Sequence, residues 1–149
     1  MRPDVLCAAV LMLAACAHDA PDTDGAAPRS TAQLLGTHWK LTRLGEEVIN
    51  TPQDAREMFI VLNADNPRVA GYSGCNQMMG GYVLDGASIK FDQIAGTLMA
   101  CVSNMDVERK FLAMFGQVTR WKIDGETLTL LDADGRPLAL FEARPPGAS

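Results

Sequence analysis

Three Asp-Gly dipeptides, at Asp85-Gly86, Asp124-Gly125 and Asp134-Gly135, each stand between two runs of alternating apolar and polar residues. A tight hairpin turn needs positive φ, which glycine adopts without a Cβ clash and aspartate tolerates, so each dipeptide commits its flanks to antiparallel pairing. Gly81–Leu84 and Ser88–Asp92 flank the first, and Arg120–Ile123, Thr127–Leu131 and Pro137–Phe141 form a three-stranded meander around the other two. Upstream, Trp39–Leu44 runs into a turn at Gly45, Met58–Leu62 is a more continuous apolar strand, and Arg68–Tyr72 follows the turn Asn63–Pro67.

One segment breaks the two-residue period. Val107, Phe111, Met114 or Phe115, and Val118 recur at spacings of three and four, which puts them on one face of a helix near residues 104–117. Ser103 or Asn104 is its candidate cap, and Asp106 and Glu108 stand in the first turn, where the helix dipole favours acids. A single sheet with one apolar face needs a cover. The expected fold class is therefore mainly β (α+β): a curved antiparallel, barrel-like sheet with one packed helix. Gly71, Gly74, Gly80 and Gly81 mark the bulges and bends that such curvature requires.

Residues 34–143 make one domain of 110 residues, with no repeat of fixed period. Residues 17–33 contain much Ala, Asp, Pro and Thr but no large apolar side chain, too little apolar surface to offset the entropy of ordering. They read as a flexible tether with an r.m.s. span of roughly 20–25 Å. Residues 144–149 read as a frayed tail.

Ahead of the tether, residues 1–15 carry Arg2 and an apolar run from Val5 to Ala15, too short to span a bilayer and suited to a signal-peptide core. Leu13-Ala14-Ala15-Cys16 resembles the lipobox of bacterial lipoproteins, which implies cleavage before Cys16 and acylation of that residue. Ala17 is not the aspartate that retains such proteins at the inner membrane, so the resemblance implies an outer-membrane anchor facing the periplasm. Losing residues 1–15 removes one base and one acid, so the net charge stays at -5. A mildly acidic domain without a basic cluster has no electrostatic footprint for nucleic acid or anionic lipid, which leaves acyl chains as the membrane contact.

With Cys7 in the signal segment and Cys16 acylated, the domain keeps Cys75 and Cys101. In an oxidising compartment such a pair forms a disulfide, here closing a 27-residue loop, with two buried thiols or a reactive thiol as the alternatives. A thiol nucleophile needs a base, and the histidines outside the signal segment are His18 in the tether and His38 at a strand edge. Ser73 has Gly71 two residues before it, but Cys75 occupies the second glycine position of a nucleophile elbow.

Met78, Met79 and Met99 near the cysteines form a soft set that could take Cu(I), against their commoner use as core filler. Asp132-Ala133-Asp134-Gly135 resembles part of a calcium loop but lacks the bidentate glutamate, and reads as a turn. No phosphate loop or dinucleotide fingerprint occurs, and the carboxylates are scattered. The domain is expected to be non-enzymatic, without cofactor or structural metal. Its candidate binding surface is the turn of Gly74, Asn76, Gln77 and Met78; Asn76 has a second, structural reading, its side chain bonding nearby turn backbone.

Trp39-Lys40-Leu41, Gly71-Tyr72-Ser73-Gly74-Cys75-Asn76, Gly80-Gly81-Tyr82, Thr97-Leu98-Met99-Ala100-Cys101, Glu108 with Phe111-Leu112, and Leu128-Thr129-Leu130 together resemble the META domain, or HslJ-like, family over residues 36–143. The resemblance implies a small β-rich barrel with a helix, frequent attachment to lipoproteins, and roles in heat shock and novobiocin resistance with no established catalysis. The chain departs from the family pattern at Gln77 and Met78, where arginine and an aromatic are common, and at Leu98, where arginine is common. The expected function is stress tolerance or envelope maintenance through binding a protein or an apolar ligand. The alternatives are a pilot or assembly factor for outer-membrane components, which needs an exposed apolar groove, and a copper-binding protein.

Overall fold

The computed structural model describes residues 32–99, 101 and 105–145. The signal segment, Cys16, most of the tether, the candidate caps Ser103 and Asn104, and residues 146–149 lie outside the described residues. The described chain runs β1 (His38–Leu44), β2 (Glu47–Val48), β3 (Phe59–Leu62), β4 (Arg68–Tyr72), β5 (Gln77–Asp85), β6 (Ser88–Gly96), α1 (Met105–Met114), β7 (Arg120–Asp124), β8 (Thr127–Leu131) and β9 (Pro137–Arg144).

Neighbouring strands pair antiparallel in the order β2-β1-β3-β4-β5-β6-β7-β8-β9, and β9 pairs back to β1. The sheet therefore closes into a ring, in agreement with the expected curved, barrel-like antiparallel sheet, with β2, absent from the sequence expectation, as a short arm on β1. Gly86 and Gly125 take φ of 56° and 60° in the β5–β6 and β7–β8 hairpins. In the β8–β9 turn Gly135 has φ of 83°, and Asp132 N–H donates to the Arg136 carbonyl at 3.0 Å.

Alternation sorts the side chains. Trp39, Leu41, Ile60, Leu62, Ile89, Leu128, Leu130 and Phe141 face inward with no exposed surface. The Trp39 indole N–H donates to the Leu34 carbonyl at 3.0 Å, so this large side chain is buried without an unmet donor. Helix α1 turns Phe111 and Met114 into the same core, joined by Phe115 and Val118 just beyond its end, while Val107 is half-buried. Phe115 meets Phe91 of β6 edge-on at 4.9 Å and Phe111 at 5.2 Å, and Phe111 lies 6.3 Å from Phe141 of β9. β6 and β7 register at a single pair, Ser88 with Arg120, so the helix between them supplements the shortest ladder of the ring.

Several boundaries differ from the sequence expectation: β1 and β3 start one residue away from it, at His38 and Phe59, and β6 runs past Asp92 to Gly96. β5 begins at Gln77, because Gly80 falls at a register shift between the Met79–Ala95 and Gly81–Asp92 pairs and does not end the strand. The helix stops at Met114, where Gln117 N–H returns to the Met114 carbonyl at 2.9 Å. Arg144, assigned to the tail, is the last residue of β9 and pairs with His38. Ala32, assigned to the tether, donates to the Gly125 carbonyl at 3.1 Å.

Candidate functional site

Between β4 and β5 the chain makes a tight turn over Ser73–Asn76. Ser73 N–H donates to the Asn76 carbonyl at 2.8 Å, which leaves the Ser73 hydroxyl proton for Glu108, and Gly74 takes φ of 101° with Met58 packed beneath it. A disulfide joins Cys75 to Cys101 across a Cα separation of 6.0 Å. It draws the segment before the helix against this turn.

The Asn76 side chain is buried and fully bonded. Its Oδ1 accepts Met99 N–H at 2.7 Å and the Thr97 hydroxyl at 2.8 Å, while Nδ2 donates to the Met99 carbonyl and to Glu108 Oε2, both at 3.2 Å. Glu108, in the first turns of α1, is 4% exposed, and its other oxygen accepts the Ser73 hydroxyl in a short hydrogen bond. No cation pairs with it among the described residues. A buried carboxylate is costly unless its oxygens are bonded, and here two neutral donors and the positive end of the helix meet that need.

This buried network supports an apolar rim. Leu98 is fully exposed, and Met99 and Met105 expose much of their side chains around an open groove of about 410 Å³ that also reaches Gly96, Arg109 and Leu112. Elsewhere, His38 and Lys40 of β1, Phe59 of β3, Arg144 of β9 and, from the loop before β3, Thr51–Gln53 and Ala55–Glu57 line a cleft of about 650 Å³. Among the described residues no group of three His, Cys, Asp or Glu is arranged for a metal ion.

Of the four turn residues singled out by sequence, only Gln77 exposes its side chain. Met78 points into the core at 2% exposure, Asn76 is buried, and Gly74 is half-buried. Asn76 does bond backbone, but across the groove at Met99 and not within its own turn. The soft-metal set is not assembled either. Met78 and Met79 point to opposite faces of β5, and both cysteines are spent in the disulfide. The Asp132–Gly135 segment is a turn in which Arg136 occupies both carboxylates, Asp132 through Nε at 2.9 Å and Asp134 through Nη2 at 2.8 Å.

Sequence reasoning missed Glu108 as a buried network member, because an acid in a first helical turn reads as a solvated dipole partner. It also missed the cleft, whose residues are scattered over three strands and a loop. The available signal was alternation: His38 and Lys40 flank the inward-facing Trp39 and so share the opposite face.

In sequence, a META domain model matches residues 32–145. The fold is similar to the NMR structure of a protein from Burkholderia xenovorans, with a TM-score of 0.61 and 23% identity over 84% of this chain and 97% of that one. A second NMR structure aligns with a TM-score of 0.57 and 16% identity over 71% of this chain and 87% of that one. Among curated proteins none matches the chain in sequence. At such identities the two structures speak for the fold alone, and it is the match over residues 32–145 that identifies the chain as a member of the META domain family.

Proposed function

We propose that this META domain protein is a non-enzymatic, lipid-anchored component of the bacterial envelope that serves envelope maintenance under stress by docking an apolar segment of another envelope protein. The observation that carries this reading is the Leu98–Met99–Met105 rim: three large apolar side chains exposed around one open groove, on a base held by the Cys75–Cys101 disulfide and the Asn76 network. Exposed apolar side chains gathered on a rigid base mark an interaction surface, because water contact there is unfavourable until a partner covers it. The groove is shallow and open, which suits the side chains of a protein segment better than an enclosed small molecule. The anchor rests on the Leu13-Ala14-Ala15-Cys16 resemblance, and the stress role on what the family resemblance implies.

The test is photocrosslinking in intact cells from two positions of the full chain, Leu98 at the rim and Val83 on the exposed face of β5. A discrete adduct from position 98, absent from position 83 and lost on Met99→Asp, is the expected result. Equal crosslinking from both positions, or none from 98, would overturn the docking reading. Loss of membrane fractionation in Cys16→Ala checks the anchor separately.

A further inference from the structure

We infer that the cleft between β1, β3 and β9 is a binding site for an amphiphilic oxyanion, a phosphate or carboxylate head on an apolar body. The inference is independent of the rim and rests on a local imbalance of charge. Glu57 is the one carboxylate lining the cleft among the described residues, and three basic side chains converge on it: His38 Nε2 at 3.1 Å, Lys40 Nζ at 3.3 Å and Arg144 Nε at 3.5 Å. Arg56, next to Glu57, has no acid within ion-pair distance among the described residues; its guanidinium sits 4.3 Å from the Tyr72 ring centroid and 5.7 Å from that of Phe59. Three permanent cations thus face one carboxylate, in a chain whose net charge is -5.

Partial burial makes the imbalance matter. Lys40 keeps 17% of its side chain exposed, Glu57 22% and Arg144 32%, so these charges are screened less than surface ones. Glu57 cannot use all their donors: an ammonium carries three N–H groups and a guanidinium five, and the guanidinium fork matches the spacing of two oxygens on a phosphate or carboxylate. Thr51 and Gln53, also on the cleft wall, add a hydroxyl and an amide within the same cavity.

The other half of the ligand follows from the floor. The His38 and Phe59 rings stack at 4.1 Å with 21° between their planes, and Pro52 and Ala55 continue an apolar wall. A cavity of about 650 Å³ is well beyond what a bare phosphate fills and within the roughly 300–1,000 Å³ range of small-molecule sites. An oxyanion held at Lys40, Arg56 and Arg144 would lay its apolar body on this floor.

The probe is phenyl phosphate, titrated into the full-length protein while the His38 ring protons and the Arg56 Nε–H are followed by NMR. Saturable shifts confined to the cleft are expected, with inorganic phosphate and phenol each binding more weakly. Arg56→Gln should weaken phenyl phosphate by about ten-fold, the loss of one charge-assisted contact, while Arg136→Gln, at the β8–β9 turn, leaves it unchanged. Glu57→Gln should tighten it, a sign that damage to folding would not produce. Vesicles of phosphatidylcholine, with and without phosphatidylglycerol, mixed with the unacylated Cys16→Ala chain so that no anchor carries it to the membrane, identify the source: binding to the anionic vesicles alone assigns the head to a lipid, and phenyl phosphate binding with no vesicle binding assigns it to a soluble ligand. Phenol binding as tightly as phenyl phosphate would remove the anion from the proposal, inorganic phosphate matching phenyl phosphate would remove the apolar body, and no response to Arg56→Gln or Glu57→Gln would overturn the site.

Discussion

The Asn76 side-chain amide and the Met99 peptide bond to each other twice, in the manner of neighbouring strands: Oδ1 accepts Met99 N–H at 2.7 Å, and Nδ2 donates to the Met99 carbonyl at 3.2 Å. The second Nδ2 proton goes to Glu108 Oε2. One side chain thereby joins the stapled turn, the apolar rim and the helix.

Asn76→Asp keeps the shape and replaces both Nδ2 donors with an acceptor facing a carbonyl and a buried carboxylate. Leaving buried polar groups unmatched, and adding like charge, should destabilise the fold by about 3 kcal/mol at neutral pH. Urea denaturation followed by circular dichroism checks this. A loss under about 0.5 kcal/mol, the level of an ordinary surface substitution, would show that the network contributes little.

Gly71 and Gly86 should respond to alanine in opposite degrees. A Cβ at Gly71 would overlap the backbone carbonyl of Phe59 on the neighbouring strand, so Gly71→Ala must push β3 and β4 apart, at about 3 kcal/mol. Gly86 has open space around its missing Cβ and a φ of 56°, so Gly86→Ala carries only the left-handed backbone penalty of about 1 kcal/mol. Denaturation midpoints of the two variants, measured side by side, decide whether close backbone approach is the larger constraint.

The strands and turns were legible because their signals are local. Arg68–Tyr72 and Thr127–Leu131 coincide with β4 and β8, since alternation and Asp-Gly chemistry need no knowledge of the rest of the chain. Closure of β9 onto β1 left no such mark; it is set by inward faces about a hundred residues apart, as where Leu41 meets Phe141. Met78 was misplaced at the surface because it was assigned to the turn, with the next strand starting only at Gly81; β5 instead begins at Gln77, its alternation turns Met78 inward, and the irregularity opposite Gly80 is taken up by an extra residue on β6, where Gln93 has φ of 49°. Glu108 was hidden for a different reason. Its burial depends on Ser73 and Asn76, more than thirty residues earlier, and on a disulfide that brings the intervening loop back.

Asp132 should titrate below its ordinary value of 3.8, chiefly because its carboxylate accepts the Arg136 backbone N–H at 2.8 Å, with the Arg136 side chain assisting. A depressed folded-state value means that the carboxylate's contribution to stability is present above the unfolded-state value and is lost as pH falls through the folded one. Carboxyl-carbon NMR shifts against pH report the midpoint directly. In Arg136→Gln the midpoint should stay below 3.8, because the backbone donor is retained. A return to the ordinary value would assign the effect to the guanidinium instead.

The Cys75–Cys101 disulfide closes a loop of 27 residues that contains β5, β6 and the Leu98–Met99 part of the rim. Cross-linking a loop of that length restricts the unfolded chain by about 3.5 kcal/mol on the chain-entropy account. The double variant Cys75→Ala with Cys101→Ala should lose stability of that order in guanidinium titration. It should also loosen the Met99 backbone, which Asn76 alone would then hold, and so speed hydrogen exchange at the Met99 amide. If docking depends on a rigid rim, crosslinking from position 98 should fall in the same variant even below the temperature at which it unfolds. Full crosslinking with accelerated exchange would instead mean that the partner orders the rim as it binds, and that the disulfide serves stability alone.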